Sequence, residues 1–177
     1  MSSLSEHLKK DPQLLCIVVP RHPERFDKVA SEIQELGLEY HRRTLKQEIS
    51  ATTQVYLADT MGELWMWCAL SQVVYVGGSL NEPGGGHNIL EPIALNVPTL
   101  LGKNYFNFQT IVDEFLSVDG VVVVQDAQQA VDVMLELLTD PMKSQKLNQQ
   151  AQHIFAKNKG AVARHIQMID QFLESTS

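Results

Sequence analysis

The stretch VVYVGGSLNEPGGGHNILEPIALNVPTLLGK, Val73 to Lys103, decides the fold. It opens with a continuous apolar run at Val73–Val76, the mark of a strand buried on both faces. A glycine-rich loop follows, then a short helix predicted from about Asn88 to Leu95 and a second strand from Val97 to Leu101. A strand that ends in glycines and feeds a helix leaves backbone N–H groups without intrahelical partners, and such groups hold anions. Asn88 and Glu91 stand at that mouth, with His87 just before it. In open α/β sheets ligands gather at the carboxyl ends of the strands, where this loop lies.

The rest of the chain repeats the alternation. Leu14–Val19 is another unbroken apolar run, stopped by Pro20-Arg21-His22-Pro23. Phe26, Val29, Ala30, Ile33 and Leu36 then recur at helical spacing up to Gly37. A weak strand is expected near Glu39–Arg43 and a stronger one at Gln54–Ala58. Asp59-Thr60-Met61-Gly62-Glu63-Leu64 opens a helix expected to turn Leu64, Trp65, Cys68 and Ala69 inward. After Lys103, Phe106, Phe108, Ile111, Val112 and Phe115 read as anchors of a loop and helix, and Val121–Val124 as a strand. Asp126 and Gln129 form a capping-box pattern for a helix through Leu138. Asp140-Pro141 starts another, and a last helix carries Val162, Ile166, Ile169 and Phe172. Strands alternating with helices at this spacing predict an α/β fold with a doubly wound parallel sheet.

Composition narrows the functional classes. The 177 residues, 44% hydrophobic and 20% charged, suit one domain, 1–177, with a real core. A net charge of −7 argues against broad electrostatic binding to nucleic acid. No apolar run approaches the ~20 residues that span a bilayer, and the first residues lack a signal-peptide core. Cys16 and Cys68, far apart in apolar surroundings, read as reduced core thiols of a cytoplasmic protein. The six histidines have no ligand spacing, so no metal is expected.

Each candidate residue has a plain structural reading beside the functional one. Ile89, not glycine, stands three residues after Gly86, so the dinucleotide fingerprint fails; the phosphate-binding P-loop pattern is absent too. The glycines alone fit a flexible connection as well as a ligand loop. Asn88-x-x-Glu91 and Thr60-x-x-Glu63 are both capping boxes, so a cap is the first reading of each glutamate. The alternative is a carboxylate that accepts two hydrogen bonds from sugar hydroxyls. Arg21 and Arg25 flank Pro23 at a helix start, where cations are disfavoured. Arg25 is expected to face solvent, and Arg21, directly after a strand, to meet an anion. His22 reads as a helix cap. Trp65 and Trp67, two apart, cannot share a helix face, so one is core and the other rim.

PRHPERF, DTMGEL and GGS-L-(loop)-GGHN-x-LEP followed by NFQ occur in that order, and together they resemble the C-terminal half of the 3-deoxy-D-manno-octulosonate (Kdo) transferases. These are GT-B glycosyltransferases of lipopolysaccharide synthesis, and the similarity runs from about Leu4 to Leu173. The resemblance implies a Rossmann-like domain that binds the donor CMP-Kdo and uses no further cofactor. It implies that Arg21 and His22 approach the donor's charged groups, and that Met61, Gly62, Glu63 and Leu64 line the nucleotide pocket. Gly85, Gly86, His87 and Asn88 would bring donors to the phosphate, Glu91 would hold the ribose, and Asn107 would border the same cleft.

By the same resemblance, an N-terminal acceptor domain supplies the general base, binds the lipid A precursor and attaches to the cytoplasmic face of the inner membrane. The parent reaction moves Kdo onto the lipid A precursor with inversion. The 177-residue chain is then expected to bind donor without transferring it. It departs from the family pattern in three places. The first strand, with an S-T-H-E-G-like loop, is expected to be absent, exposing sheet edges that invite a dimer. Asn81–Gly86 is one residue longer, and Lys103 replaces a proline. Another GT-B nucleotide-sugar enzyme, or a non-catalytic α/β nucleotide-binding module, would share much of this pattern.

Overall fold

The structure, a computed structural model, describes residues 2–158. Helix α1 (Ser2–Lys10) leads into β1 (Cys16–Val18), a 3-10 turn at Pro23–Arg25 and α2 (Phe26–Glu35). Strands β2 (Tyr40–Arg42) and β3 (Val55–Leu57) follow, then α3 (Leu64–Leu70) and β4 (Val74–Val76). Next come α4 (Leu90–Ala94), β5 (Thr99–Gly102), α5 (Gln109–Leu116), β6 (Val122–Val124), α6 (Ala127–Thr139) and α7 (Pro141–Asn158). The helix expected around Val162–Phe172 lies outside the described residues.

Every strand pairing is parallel, but the strands form two three-stranded sheets, ordered β1-β3-β2 and β4-β5-β6. Both are covered on both faces, because alternate residues of a strand enter opposite layers. In the first sheet Val55 and Leu57 pack with Ile33 of α2 and Leu8 of α1, while Tyr56 and Ala58 pack with Trp67 of α3. In the second, Leu101 joins Ile93, Val112 and Phe115, whereas Leu100 joins Val124 and Ala130 of α6. Contacts of α1 with α6 on one side, and of α3 with α4 on the other, hold the two sheets together. The expected doubly wound α/β fold is what forms.

The middle strands β3 and β5 are buried throughout, while β1 is half-buried along its length and β4 is buried only at Val76. Cys16 donates its N–H to Gln54, and the Val18 carbonyl accepts from Ala58. The alternation of a parallel ladder therefore directs the backbone groups of Ile17 away from β3. Val74 donates to Pro98, so those of Tyr75 turn away from β5 in the same manner. Two strands with the apolar sequence of sheet centres thus stand at sheet edges.

Several local expectations need correction. Trp67 and Cys68, not Leu64, Trp65 and Ala69, face inward on α3, and Trp65 is 52% exposed. LWMWCAL is apolar at every position, so periodicity cannot fix its rotation. Packing of Trp67 on Tyr56, with ring centroids 5.3 Å apart, does. Phe106 is exposed rather than an anchor. The Asp126 cap forms, with Gln129 donating its N–H to Asp126 Oδ1 at 2.8 Å, but the Gln129 side chain reaches one residue past the cap and accepts from the Gln125 N–H at 2.7 Å.

Candidate functional site

Within each sheet the strands share one direction, so their C-terminal loops share a rim. Arg21, after β1, donates from its guanidinium to His87 Nδ1 at 2.9 Å, joining the rims of the two sheets. Arginine cannot accept, so His87 Nδ1 is the acceptor and the ring proton lies on Nε2. Burial, then Arg21 and His22, push the His87 pKa below its ordinary value and favour this neutral tautomer. The ring crowds Gly78, where a Cβ would come 2.8 Å from Nε2. Arg21 is exposed and has no carboxylate partner among the described residues. His22 occupies the cap position of the Pro23–Arg25 turn, yet its side chain makes no capping hydrogen bond; it faces Glu24 at 3.8 Å. Arg25 is exposed, as expected.

The glycine loop is bound to the segment after β5. Asn104 donates its N–H to the Ser79 carbonyl at 2.8 Å and its side-chain amide to Asn81 at 3.0 Å, and its carbonyl accepts from Gly85 at 2.9 Å. Gly86 donates to Gly78 at 3.0 Å. The N–H groups of Gly85 and Gly86, expected as donors to a phosphate, both serve the loop itself. These glycines are needed for shape. Gly84, Gly85 and Gly86 all have φ between 67° and 108°, and a Cβ on Gly85 would lie 2.2 Å from Asn107 Nδ2. That contact brings Asn107 to the loop. A cleft of about 540 Å³ lined by Phe106, Asn107 and Phe108 adjoins it.

Helix α4 is only one turn and a half, shorter than expected, and the Asn88–Glu91 capping box does not form. Asn88 Oδ1 accepts from Leu90 at 3.0 Å, two residues on, while Glu91 does not reach back. Among the described residues the N–H groups of His87, Asn88, Ile89 and Glu91 have no hydrogen-bond partner, and neither has the half-buried Glu91 carboxylate. Glu91 also helps to raise the Cys68 thiol pKa, after burial, which places its charge near α3.

Glu63 behaves differently. Its carboxylate accepts from Arg43 Nη2 at 3.0 Å and Nε at 3.1 Å, and from the Thr60 hydroxyl. Hydrogen bonds from Arg43 and Thr60 hold its pKa below the usual range. Thr60 is thus a partner of Glu63 and does not cap α3, whose first flanking residue is Glu63. Between them Met61 is 60% exposed and Gly62 takes φ 81°. Asp59, at the loop's start, is buried; it accepts from Arg42 Nε at 2.6 Å, the Thr44 hydroxyl at 2.6 Å and the Thr44 N–H at 2.9 Å. Arg42, Arg43, Asn104 and Ser79 were not singled out from the sequence. The tandem arginines beside a strand were the available signal.

At the opposite end of the second sheet a further cleft of about 540 Å³, lined by Gln72, Asn96, Ser144 and Asn148 among others, contains no titratable side chain. The unpaired N–H groups at 87–91 and the Glu91 carboxylate lie on the rim instead. Among the described residues no group of three potential metal ligands clusters, and no helix is long and apolar enough to cross a membrane.

The family described as "Glycosyl transferases group 1" matches residues 2–154. The 3-deoxy-D-manno-octulosonic acid transferase of Haemophilus influenzae is 37% identical over 168 residues, which is 94% of this chain and 39% of that protein. The Bordetella pertussis transferase of the same name is 32% identical over 174 residues, 98% of this chain and 40% of that protein. The chain therefore spans about two fifths of the length of these relatives. The crystal structure of the C-terminal CMP-Kdo binding domain of WaaA from Acinetobacter baumannii is similar with a TM-score of 0.85 and 60% identity. The match covers 86% of this chain and 79% of that one.

Proposed function

Because the chain belongs to the group 1 glycosyl transferases, we propose that it is the donor-binding part of a Kdo transferase and that its rim holds CMP-Kdo. The observation that carries this reading is Glu91: a half-buried carboxylate without a partner among the described residues, beside unpaired N–H groups. A capping role would have consumed it. Free, it can accept hydrogen bonds from both ribose hydroxyls, while the N–H groups of His87, Asn88 and Ile89 face the phosphate and Arg21 adds charge.

When the acceptor hydroxyl attacks the anomeric carbon, the bond to the CMP phosphate breaks and negative charge collects on the departing oxygen. Preorganised N–H groups and a cation stabilise that charge without reorganisation. Neutral His87 contributes by holding Arg21. The proton leaves the acceptor hydroxyl for a base in the N-terminal acceptor domain, which in this reading also binds the lipid A precursor at the cytoplasmic face of the inner membrane.

A further strand beside β1 belongs to the same reading. Its support is the half-buried state of β1 and β4, together with the Trp67 indole N–H, which is buried beside Ile17 and Val19 and has no partner among the described residues. A strand parallel to β1 would cover these apolar positions and use the unpaired backbone groups.

Calorimetry with CMP tests the site. Glu91→Gln is expected to weaken CMP by at least roughly tenfold, the scale of a lost charge-assisted hydrogen bond, with an unchanged melting temperature. Unaltered affinity would sink the assignment. Tighter binding of UDP or GDP than of CMP would transfer the chain to another donor.

A further inference from the structure

We infer that Arg43 is a positioning residue that holds the loop at 59–63 in shape for the nucleotide, working as a pair with Arg42; this rests on the donor-binding reading above. The loop is poorly supported by packing. Met61 is mostly exposed, Leu64 is exposed, and Gly62 adopts a left-handed φ with open space where a Cβ would be. Such a segment keeps one conformation only if its ends are fixed.

Both ends are fixed from the C-terminal end of β2. Arg42 closes the strand, and Arg43, the next residue, still donates its N–H to the Leu57 carbonyl of β3 at 2.9 Å, so the alternation of extended chain sends the two side chains to opposite faces. Arg42 reaches Asp59 at the loop's start and Asp27 of α2, on the α2 side. Arg43 reaches Glu63 at the loop's end through two N–H groups, on the α3 side. The Thr60 hydroxyl donates to the same carboxylate and closes the loop on itself. Two parallel N–H···O bonds fix direction as well as distance, which a lysine cannot reproduce. Glu63 is thereby reassigned: its carboxylate is engaged by Arg43 and Thr60, and it acts on the ligand through the conformation of Met61 and Gly62.

The test compares CMP with ribose 5-phosphate, which lacks the base, on the full chain by calorimetry, with NMR relaxation of the backbone amides followed in parallel. Arg43→Gln is expected to weaken CMP by roughly tenfold and leave ribose 5-phosphate within about twofold, while the backbone order parameters at 60–63 fall. Arg43→Lys, retaining the charge but not the fork, is expected to fall between. Equal loss for both ligands would mean general destabilisation and would overturn the inference, as would CMP affinity or loop order parameters matching the wild type. A wild-type chain that binds no CMP refutes the donor reading and this inference with it. Wild-type binding that falls in Glu91→Gln but not in Arg43→Gln refutes the inference alone.

Discussion

Asp59→Asn isolates the strongest electrostatic contact in the first sheet. The native carboxylate side chain is 0% exposed and accepts three hydrogen bonds, from Arg42 and twice from Thr44. An amide of the same shape keeps one oxygen, but its NH₂ must face Arg42 or Thr44, donor against donor. Removing one member of a buried pair costs about 3–5 kcal/mol. Arg42 keeps Asp27 and some solvent, so we expect the low end, about 3 kcal/mol, consistent with one or two charge-assisted hydrogen bonds lost. For a domain of this size that is a fall of roughly 6–12 °C in melting temperature.

Acid provides an independent check. Burial raises the Asp59 pKa, but hydrogen bonds from Thr44 and Arg42 outweigh it and leave it below 3.8. With the folded value depressed, this contribution is complete above the ordinary carboxylate range and is lost as pH falls toward the folded value. Urea unfolding at pH 7 and pH 3 should therefore show a gap between wild type and Asp59→Asn that narrows in acid. A gap under about 1 kcal/mol at pH 7, well below the cost of a broken buried pair, would refute the reasoning. So would one that does not change with pH.

The rim and the sheet edges are open to measurement as well. His87 should titrate below its ordinary value of 6.5; its contribution to stability is present above that value and lost as pH falls through the lower, folded one. Proton NMR of the imidazole checks this, and a raised pKa would contradict the Arg21–His87 pairing. The edges of β1 and β4, unpaired among the described residues, should promote association, so sedimentation velocity is expected to show a dimer that grows with concentration. A chain that stays monomeric at high concentration would remove the edges as interfaces.

Much of the fold was legible because its signals are local. Unbroken apolar runs such as Leu14–Val19 and Val73–Val76 mark parallel strands, and Asp126 with Gln129 announced a helix start that the hydrogen bonds reproduce. The motifs around Arg21, Asp59–Leu64 and Glu91 likewise pointed to one rim. The sequence could not say what each side chain would meet there, because partners come from distant segments. The same capping pattern occurs at Thr60–Glu63 and Asn88–Glu91, yet Glu63 is claimed by Arg43, twenty residues away, and Glu91 by none of the described residues. Gly85 and Gly86 looked like free donors until Asn104 and Gly78 took their N–H groups. Local pattern determined which elements form and in what order; only tertiary packing decided which polar groups were already satisfied and which were left without a partner among the described residues.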